Sequence, residues 1–228
     1  MNRITLAAVF SLVPLSAFAQ AANGKPANLV PAGYRIVEEI KGDLNKDGLE
    51  DYVFIIQGTK NVSVDENCME GEDCNRRGVV IAFNKGGGYE RVLENRDCFY
   101  SENTLSAYFA PVLSVRVKKG NLYVEYEHGK YGNWSYTFRY QNSDFELIGY
   151  DAYESDGPYA VQEVSVNFLT KKMLTKKNTN ERCKGEECEE KDPVFKETWK
   201  NITLKEPIKL RKINFDEFSI WNHVKTGE

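Results

Sequence analysis

The chain has 228 residues, a formal net charge of −4 at pH 7, and 12% aromatic and 28% charged residues. This acidic balance argues against binding to nucleic acid, which needs a basic surface, and against binding to an anionic membrane. The length suits one domain with a sizeable core, and aromatic residues interleaved with Val, Ile and Thr favour β-sheet.

The chain begins with the pattern of a secretory signal over residues 1–19. Arg3 supplies a positive charge, residues 4–18 are mostly apolar, and Ala17-Phe18-Ala19 is a small-x-small cleavage site. We therefore predict a mature chain that begins at Gln20 and is periplasmic or secreted. The apolar run is too short for a membrane span, and no other long apolar segment follows it.

The next segment, residues 20–30, is small and polar without periodicity. This composition predicts a disordered lead-in to a single domain that covers residues 31–228. The first strand of that domain is predicted at 34–40, because its apolar and polar residues alternate weakly.

A loop rich in aspartate and asparagine follows this strand. Side-chain oxygens stand at relative positions 1, 3, 5 and 9, with Gly48 at position 6, and a strand (52–56) follows at once. The oxygen-bearing residues are Asp43, Asn45, Asp47 and Asp51. Alternate oxygens on a tight loop suit Ca²⁺, and Leu49 at position 7 would add its backbone carbonyl. The alternative is an Asx-rich turn that binds no ion, since these residue types favour turns.

The loop is not a complete EF-hand, because Phe54 stands where the bidentate Glu of that motif is expected. The sequence Asp-x-Asn-x-Asp-Gly-x-x-Asp before an apolar strand instead resembles the calcium loop of FG-GAP/VCBS-type repeats, the blades of integrin-α-like propellers. Residues 31–58 and 136–140 also resemble uncharacterised secreted bacterial proteins that carry one such loop. The resemblance implies calcium binding by the loop. Because only one copy is found, a closed propeller of several blades is not expected.

The rest of the chain has the rhythm of short strands separated by turns. A hairpin is predicted from 79–83 and 89–93 around the turn at 84–88, and Pro111 marks a bend or strand start within 104–117. Later strands are predicted at 122–127, 134–140, 145–150, 164–169, 194–199, 202–204 and 208–213. Residues 151–160 are predicted as a polar loop, residues 178–191 as a mobile charged loop, and Asn214 as the cap of a short helix.

The expected fold is therefore all-β: an antiparallel meander of twisted sheet that is blade-like around the calcium loop, with at most a short C-terminal helix. The aromatic residues of 123–140 are interpreted as sheet core rather than as a platform for sugars.

Five cysteines in an exported chain favour disulfide bonds with one thiol left over. The pairs closest in sequence, Cys68–Cys74 and Cys183–Cys188, are predicted to be bonded, which leaves Cys98 as a free, buried residue. A zinc site is disfavoured because neither spacing is C-x-x-C.

No catalytic constellation is recognisable around the two histidines, His128 and His223, which are interpreted as solvated residues. The favoured function is a non-enzymatic binding or structural module that Ca²⁺ stabilises and that has a protein or envelope partner. One alternative is a periplasmic inhibitor or immunity protein that binds a secreted toxin or lytic enzyme through an acidic loop. A second alternative is a hydrolase that acts on the cell envelope.

Overall fold

The structure is a computed structural model that describes residues 21–22, 24–60, 75–100, 111–183, 189 and 191–227. Within these ranges the chain is all-β, and its strands form two antiparallel sheets. The predicted signal segment, residues 1–19, lies outside the described residues. No helix in the described ranges is long and apolar enough to cross a membrane.

The first sheet has the strand order β1-β5-β4-β3-β2. Its strands are β1 (Ala21–Ala22), β2 (Tyr34–Gly42), β3 (Asp51–Gly58), β4 (Arg77–Asn84) and β5 (Tyr89–Phe99). β3 and β4 are buried along nearly their whole length, because apolar residues cover both faces of the sheet there. This explains why their sequences are continuous apolar runs without alternation.

The second sheet follows the order of the chain from β6 at one edge to β13 at the other. Its strands are β6 (Val112–Lys118), β7 (Asn121–Glu127), β8 (Gly132–Gln141), β9 (Asp144–Asp156), β10 (Tyr159–Asn167), β11 (Lys172–Asn178), β12 (Phe195–Leu204) and β13 (Val224–Thr226). β7 illustrates the pattern, since Leu122, Val124 and Tyr126 are buried and the residues between them are half-buried. The predicted all-β antiparallel meander is confirmed.

The main core lies between the two sheets. One apolar cluster contains Val53 and Ile81 of the first sheet together with Leu122, Val124 and Phe138 of the second. A smaller cluster covers the opposite face of the first sheet and contains Leu29, Phe54, Ile56, Val80 and Ala82.

The C-terminal segment, residues 208–220, ties the sheets together. Leu147 of β9 donates its backbone N–H to Ile208 O, and the Asn95 amide of β5 donates to Leu210 O and Ile213 O at 2.9 and 2.8 Å. Ile208, Leu210 and Ile213 are buried in the main core. The segment therefore contacts both sheets through hydrogen bonds as well as apolar side chains.

The predicted disordered lead-in is wrong for its second half. Pro26–Leu29 is a 3₁₀ helix, and Leu29 is only 3% exposed. Leu29 packs against β3 and β4, and Arg91 donates to its carbonyl at 3.2 Å. Burial of this one apolar side chain orders a segment whose composition is otherwise polar.

Three local predictions in the second half of the chain are also wrong. Residues 151–160 are not a loop, because β9 and β10 run through them as a hairpin whose polar residues form cross-strand pairs. Residues 208–213 form a single β-bridge and a 3₁₀ helix (Leu210–Lys212) rather than a strand. Asn214 caps one turn rather than a helix, since its side chain accepts from Asp216 N and its carbonyl from Glu217 N.

The strand β11 (Lys172–Asn178) was not predicted, because four of its residues are Lys or Asn. It ends where the charged 178–191 segment was expected to begin. Asn178 is buried and donates to Ala160 O at 2.8 Å, so the segment starts from an ordered strand. Residues 184–188 and 190 lie outside the described residues, and the mobility of this segment stays a prediction.

Candidate metal centre

The candidate site is the loop of residues 43–50 that joins β2 to β3. Gly42 and Asp51 are paired across the two strands, so the loop closes a hairpin. Gly48 has φ +84° and Lys46 has φ +62°, both in the left-handed region. Gly48 adopts this conformation at little cost, whereas Lys46 adopts it because the surrounding hydrogen bonds hold the loop.

The side-chain oxygens of the loop point at its own backbone. Asp43 accepts from the N–H groups of Asp47 and Gly48 at 3.1 and 3.0 Å. Asn45 Oδ1 accepts the same Asp47 N–H at 3.0 Å, so the oxygens of Asp43 and Asn45 lie close together. Asp47 Oδ1 accepts from Leu49 N at 2.9 Å, and its other oxygen accepts from the Asn45 amide at 2.8 Å. The structure thus brings Asp43, Asn45 and Asp47 into one hydrogen-bonded group.

Asp51 has a different environment, because it is fully buried at the start of β3. Its carboxylate accepts from Leu44 N at 2.8 Å and from Asn84 N at 3.0 Å. Burial raises the pKa of this carboxyl above its ordinary value, and the nearby charge of Asp47 adds to this, while the backbone N–H groups of Asn84 and Leu44 oppose it. Asp51 therefore links the loop to β4 through these hydrogen bonds. Asp43, Asn45 and Asp47 are more exposed.

No Lys or Arg in the described ranges forms an ion pair with Asp51. Asp144, the other aspartate that is buried in those ranges, is different: Arg211 donates to it at 2.7 Å and Lys209 Nζ lies 3.6 Å away. A buried carboxylate without a cation beside it is costly, and hydrogen bonds from backbone N–H groups offset only part of that cost.

The loop also contacts the second sheet. Leu44 is buried in the main core, and a side chain at Gly42 would meet Val117 of β6 at 2.5 Å. The aliphatic chain of Lys46 lies against Gly120 in the turn between β6 and β7. The loop is therefore positioned where the edge of the first sheet meets the second.

The donor chemistry of the loop fits a hard cation, since it consists of carboxylate and amide oxygens. Within the part of the chain that the structure describes, no group of three or more His, Cys, Asp and Glu side chains is arranged to hold a metal ion. Both oxygens of Asp51 are directed to backbone N–H groups, those of Leu44 and Asn84. The side chain of Leu49 is 37% exposed, so it is not part of the apolar core.

The other residues singled out from the sequence do not form a site with this loop. His128 packs against Tyr131 and Trp134, and His223 against Phe218, with ring centroids 5.1, 6.3 and 5.3 Å apart. His223 is exposed, as the sequence interpretation expected, whereas His128 is half-buried. Each also contacts aromatic rings, which the sequence did not indicate.

Cys98 is a free, fully buried cysteine, as expected, and burial raises the pKa of its thiol far above the ordinary value. Cys183 is disulfide-bonded. Cys68, Cys74 and Cys188 lie outside the described residues, so the pairing of Cys68 with Cys74 and of Cys183 with Cys188 stays a prediction.

A cleft lined by aromatic residues was not predicted from the sequence. It is a cleft of about 170 Å³ between β8, β9 and residues 215–221, called the aromatic cleft below. Its walls include Tyr100, Trp134, Tyr136, Tyr150, Phe218 and Trp221. The only signal in the sequence was the high aromatic content, because the residues come together from segments more than a hundred positions apart.

Comparisons of the chain with models of protein families, with curated proteins and with solved structures gave no match in any of the three. The resemblance of the loop to FG-GAP/VCBS-type repeats therefore rests on its own residues.

Proposed function

We propose that this chain is an exported, non-enzymatic β-sheet module in which Ca²⁺ bound at residues 43–51 stabilises the fold. The observation that carries the proposal is the buried Asp51, which has no cationic partner in the described ranges. It adjoins a loop whose side-chain oxygens point at the loop's own backbone. A divalent cation at the loop would compensate this charge and those of Asp43 and Asp47.

The ligands would be the side chains of Asp43, Asn45, Asp47 and Asp51 and the backbone carbonyl of Leu49. Each carboxylate oxygen has two lone pairs, so the hydrogen bonds seen in the loop leave acceptor capacity on the same atoms. Ca²⁺ takes six to eight oxygens, and water would complete the set.

The bound ion would act on the fold by holding the junction between the sheets. Without a cation, three aspartates on one short loop repel one another. With the loop neutralised, Leu44 and the start of β3 are held in the core and against the second sheet. A site without a bidentate Glu suits the weak range of extracellular modules, with a Kd on the order of 10⁻⁴ to 10⁻³ M.

The proposal is tested by thermal unfolding of the mature chain with millimolar Ca²⁺ and with chelator. At free calcium about tenfold above Kd, linkage predicts about 1.4 kcal/mol of added stability. Asp47→Asn keeps an acceptor for Leu49 N but removes a negative charge, so it should abolish most of this increment. Asp47→Ala should abolish it as well and should also lose the turn hydrogen bond.

The matched control is Asp97→Asn, the same chemical change at an exposed position of β5 outside the loop. It should keep the full calcium increment. A wild-type chain that shows no calcium-dependent shift, together with no binding heat in calorimetry, would overturn the proposal and leave residues 43–51 as a turn.

The partner of the module is proposed to be a protein or a component of the cell envelope. Pull-down from an envelope extract with Ca²⁺ and with chelator tests this. A partner retained only with Ca²⁺ connects the loop to binding, whereas a partner that is hydrolysed by the chain would favour the envelope hydrolase instead.

A further inference from the structure

The aromatic cleft is distinct from the calcium loop and has the size of a small ligand site. Its volume of about 170 Å³ is several times the roughly 30 Å³ that one water molecule occupies, so it can hold a small organic group. Trp221, which lines it, is 49% exposed, so the cleft is reached from solvent on that side.

The rings of the cleft come mainly from β8 and β9 of the second sheet and from the C-terminal residues 218 and 221. Tyr136 of β8 lies 5.2 Å from Tyr150 of β9, and the Trp221 ring stands nearly perpendicular to Tyr150 at 6.4 Å. Phe218 lies 5.8 Å from Tyr136, also edge to face. Trp134 stacks on Tyr126 at 5.5 Å, which fixes its orientation from behind. The walls are therefore held by ring contacts rather than by flexible side chains.

The electrostatics of the cleft favour a positive ligand. None of the residues that line it is Lys, Arg or His. Burial, and then the negative charges of Glu154 and Asp151, raise the pKa of Tyr150 to about 12, so its hydroxyl stays neutral. Glu154 accepts from Gln162 and Asp151 from Ser165, and neither forms an ion pair with a Lys or Arg in the described ranges. These two carboxylates act on the Tyr150 side of the cleft. Near Tyr100 the charges of Asp216 and Arg76 oppose each other, and His223 packs on Phe218.

We propose that the aromatic cleft binds a small organic cation with a quaternary ammonium group. The faces of Trp and Tyr rings attract a cation, and the attraction grows when water is excluded from the contact. A trimethylammonium group fits the volume and can contact the rings of Tyr136, Tyr150 and Trp221. An anion would find no Lys, Arg or His among the residues that line the cleft, and a sugar chain would be too large for it.

The test uses the mature chain and compares choline with 3,3-dimethyl-1-butanol, a neutral compound of the same shape. Binding is followed by calorimetry and by the indole N–H signal of Trp221 in NMR spectra, with sodium chloride matching the ionic strength. We expect choline to bind about tenfold more tightly than the neutral compound. Equal binding of the two, or no binding of choline, would overturn the proposal.

Variants at Trp221 test whether binding requires an aromatic ring at this position or only a side chain that fills the space. Trp221→Leu should weaken choline binding about tenfold or more, and Trp221→Phe, which keeps a ring, should retain it within about threefold. Trp199→Leu is the matched control, because Trp199 is exposed on β12 and does not line the cleft. Unchanged choline binding in Trp221→Leu would contradict the assignment, and thermal unfolding of each variant confirms that it is folded.

A further experiment tests whether the bound quaternary ammonium group belongs to a free cation or to a lipid head group. Vesicles of phosphatidylcholine and of phosphatidylglycerol are sedimented with the chain and with Trp221→Leu. Retention only on phosphatidylcholine, and only by the wild-type chain, would identify the lipid head group as the source. Binding of free choline without retention on either vesicle would identify a soluble quaternary ammonium compound.

Discussion

Two backbone carbonyls of β5 leave no room for a side chain at position 78 in the neighbouring strand. A Cβ on Gly78 would lie 2.2 Å from Arg96 O and 2.5 Å from Asn95 O, where the register of β4 and β5 is irregular. The glycine is therefore required by close approach of the two backbones and not by its own dihedral angles.

Gly78→Ala should accordingly destabilise the fold by about 3 kcal/mol, because the extra atom overpacks a backbone that cannot move alone. Urea unfolding at constant pH measures the change. Gly87→Ala is the control, since a Cβ there meets no atom within 4 Å, and its effect should stay within about 0.5 kcal/mol. Equal midpoints for the two variants would refute the close approach.

The Cys98 thiol should be unreactive in the folded protein. It is fully buried, its Sγ lies 3.8 Å from Asn95 O, and burial holds its pKa far above the ordinary value, so the reactive thiolate is suppressed. Modification by iodoacetamide at pH 8 should be at least about 10³-fold slower than in denaturant, because it requires opening of the core. Peptide mapping identifies the adduct, and fast labelling of native Cys98 would rule out this burial.

At the scale of elements, the β6–β7 hairpin carries an ion pair with two parallel hydrogen bonds. Arg116 donates from two nitrogens to Glu125, each at 2.7 Å, and its guanidinium lies 4.2 Å from the centre of the Tyr123 ring. Hydrogen bonds from Arg116 are the main reason that the pKa of Glu125 is lowered.

This pair gives a prediction for pH. Because the folded pKa of Glu125 lies below its unfolded value, its stabilisation is complete above the unfolded pKa and is lost as pH falls through the folded pKa. Glu125→Gln should cost about 0.5 kcal/mol at pH 7, a discounted figure for a partly exposed pair, and the difference should vanish in acid. Calorimetric melting from pH 2 to 7 measures it. The control is Glu197→Gln, whose partner Lys176 lies 3.9 Å away without a pair of parallel hydrogen bonds, so its effect at pH 7 should be smaller.

At the scale of the whole molecule, Phe215 joins the two sheets. Its ring stacks on Phe99 of β5 at 5.5 Å and contacts Tyr136 of β8 at 4.9 Å. Its backbone N–H donates to Cys98 O at 2.8 Å, and its carbonyl accepts from the Tyr100 hydroxyl at 3.1 Å. The C-terminal segment is therefore part of the core and not an appendage of the second sheet.

Phe215→Ala should destabilise the fold by about 3–5 kcal/mol, the usual cost of a large buried aromatic. We expect both sheets to unfold in one transition. Far- and near-UV circular dichroism during denaturation measures this. Trp199→Ala, at a side chain 63% exposed, should change stability by less than about 1 kcal/mol. A Phe215→Ala effect as small as that of Trp199→Ala would show that the sheets do not depend on this contact.

Local chemistry was enough to predict much of the chain. Alternation predicted β7 and β8, because a strand with one solvated face has period two in its sequence. The hairpin of β4 and β5 was predicted from a continuous apolar run and the glycine-rich turn that follows it. The turn of residues 43–50 also follows from the sequence, since Asp43, Asn45 and Asp47 cap backbone N–H groups only two to five residues away.

The tertiary structure decided which residues pack against each apolar face. Asp51 is buried because Asn84 N, 33 positions away, completes its hydrogen bonds. Ile208 and Leu210 alternate like residues of a strand, yet together with Ile213 they fill the space between the sheets and form no ladder. The aromatic cleft exists because Tyr136, Tyr150 and Trp221 meet there. Sequence periodicity determines which side of a strand is apolar, but the partner of that side depends on contacts between distant segments, and these depend on the packing of the whole chain.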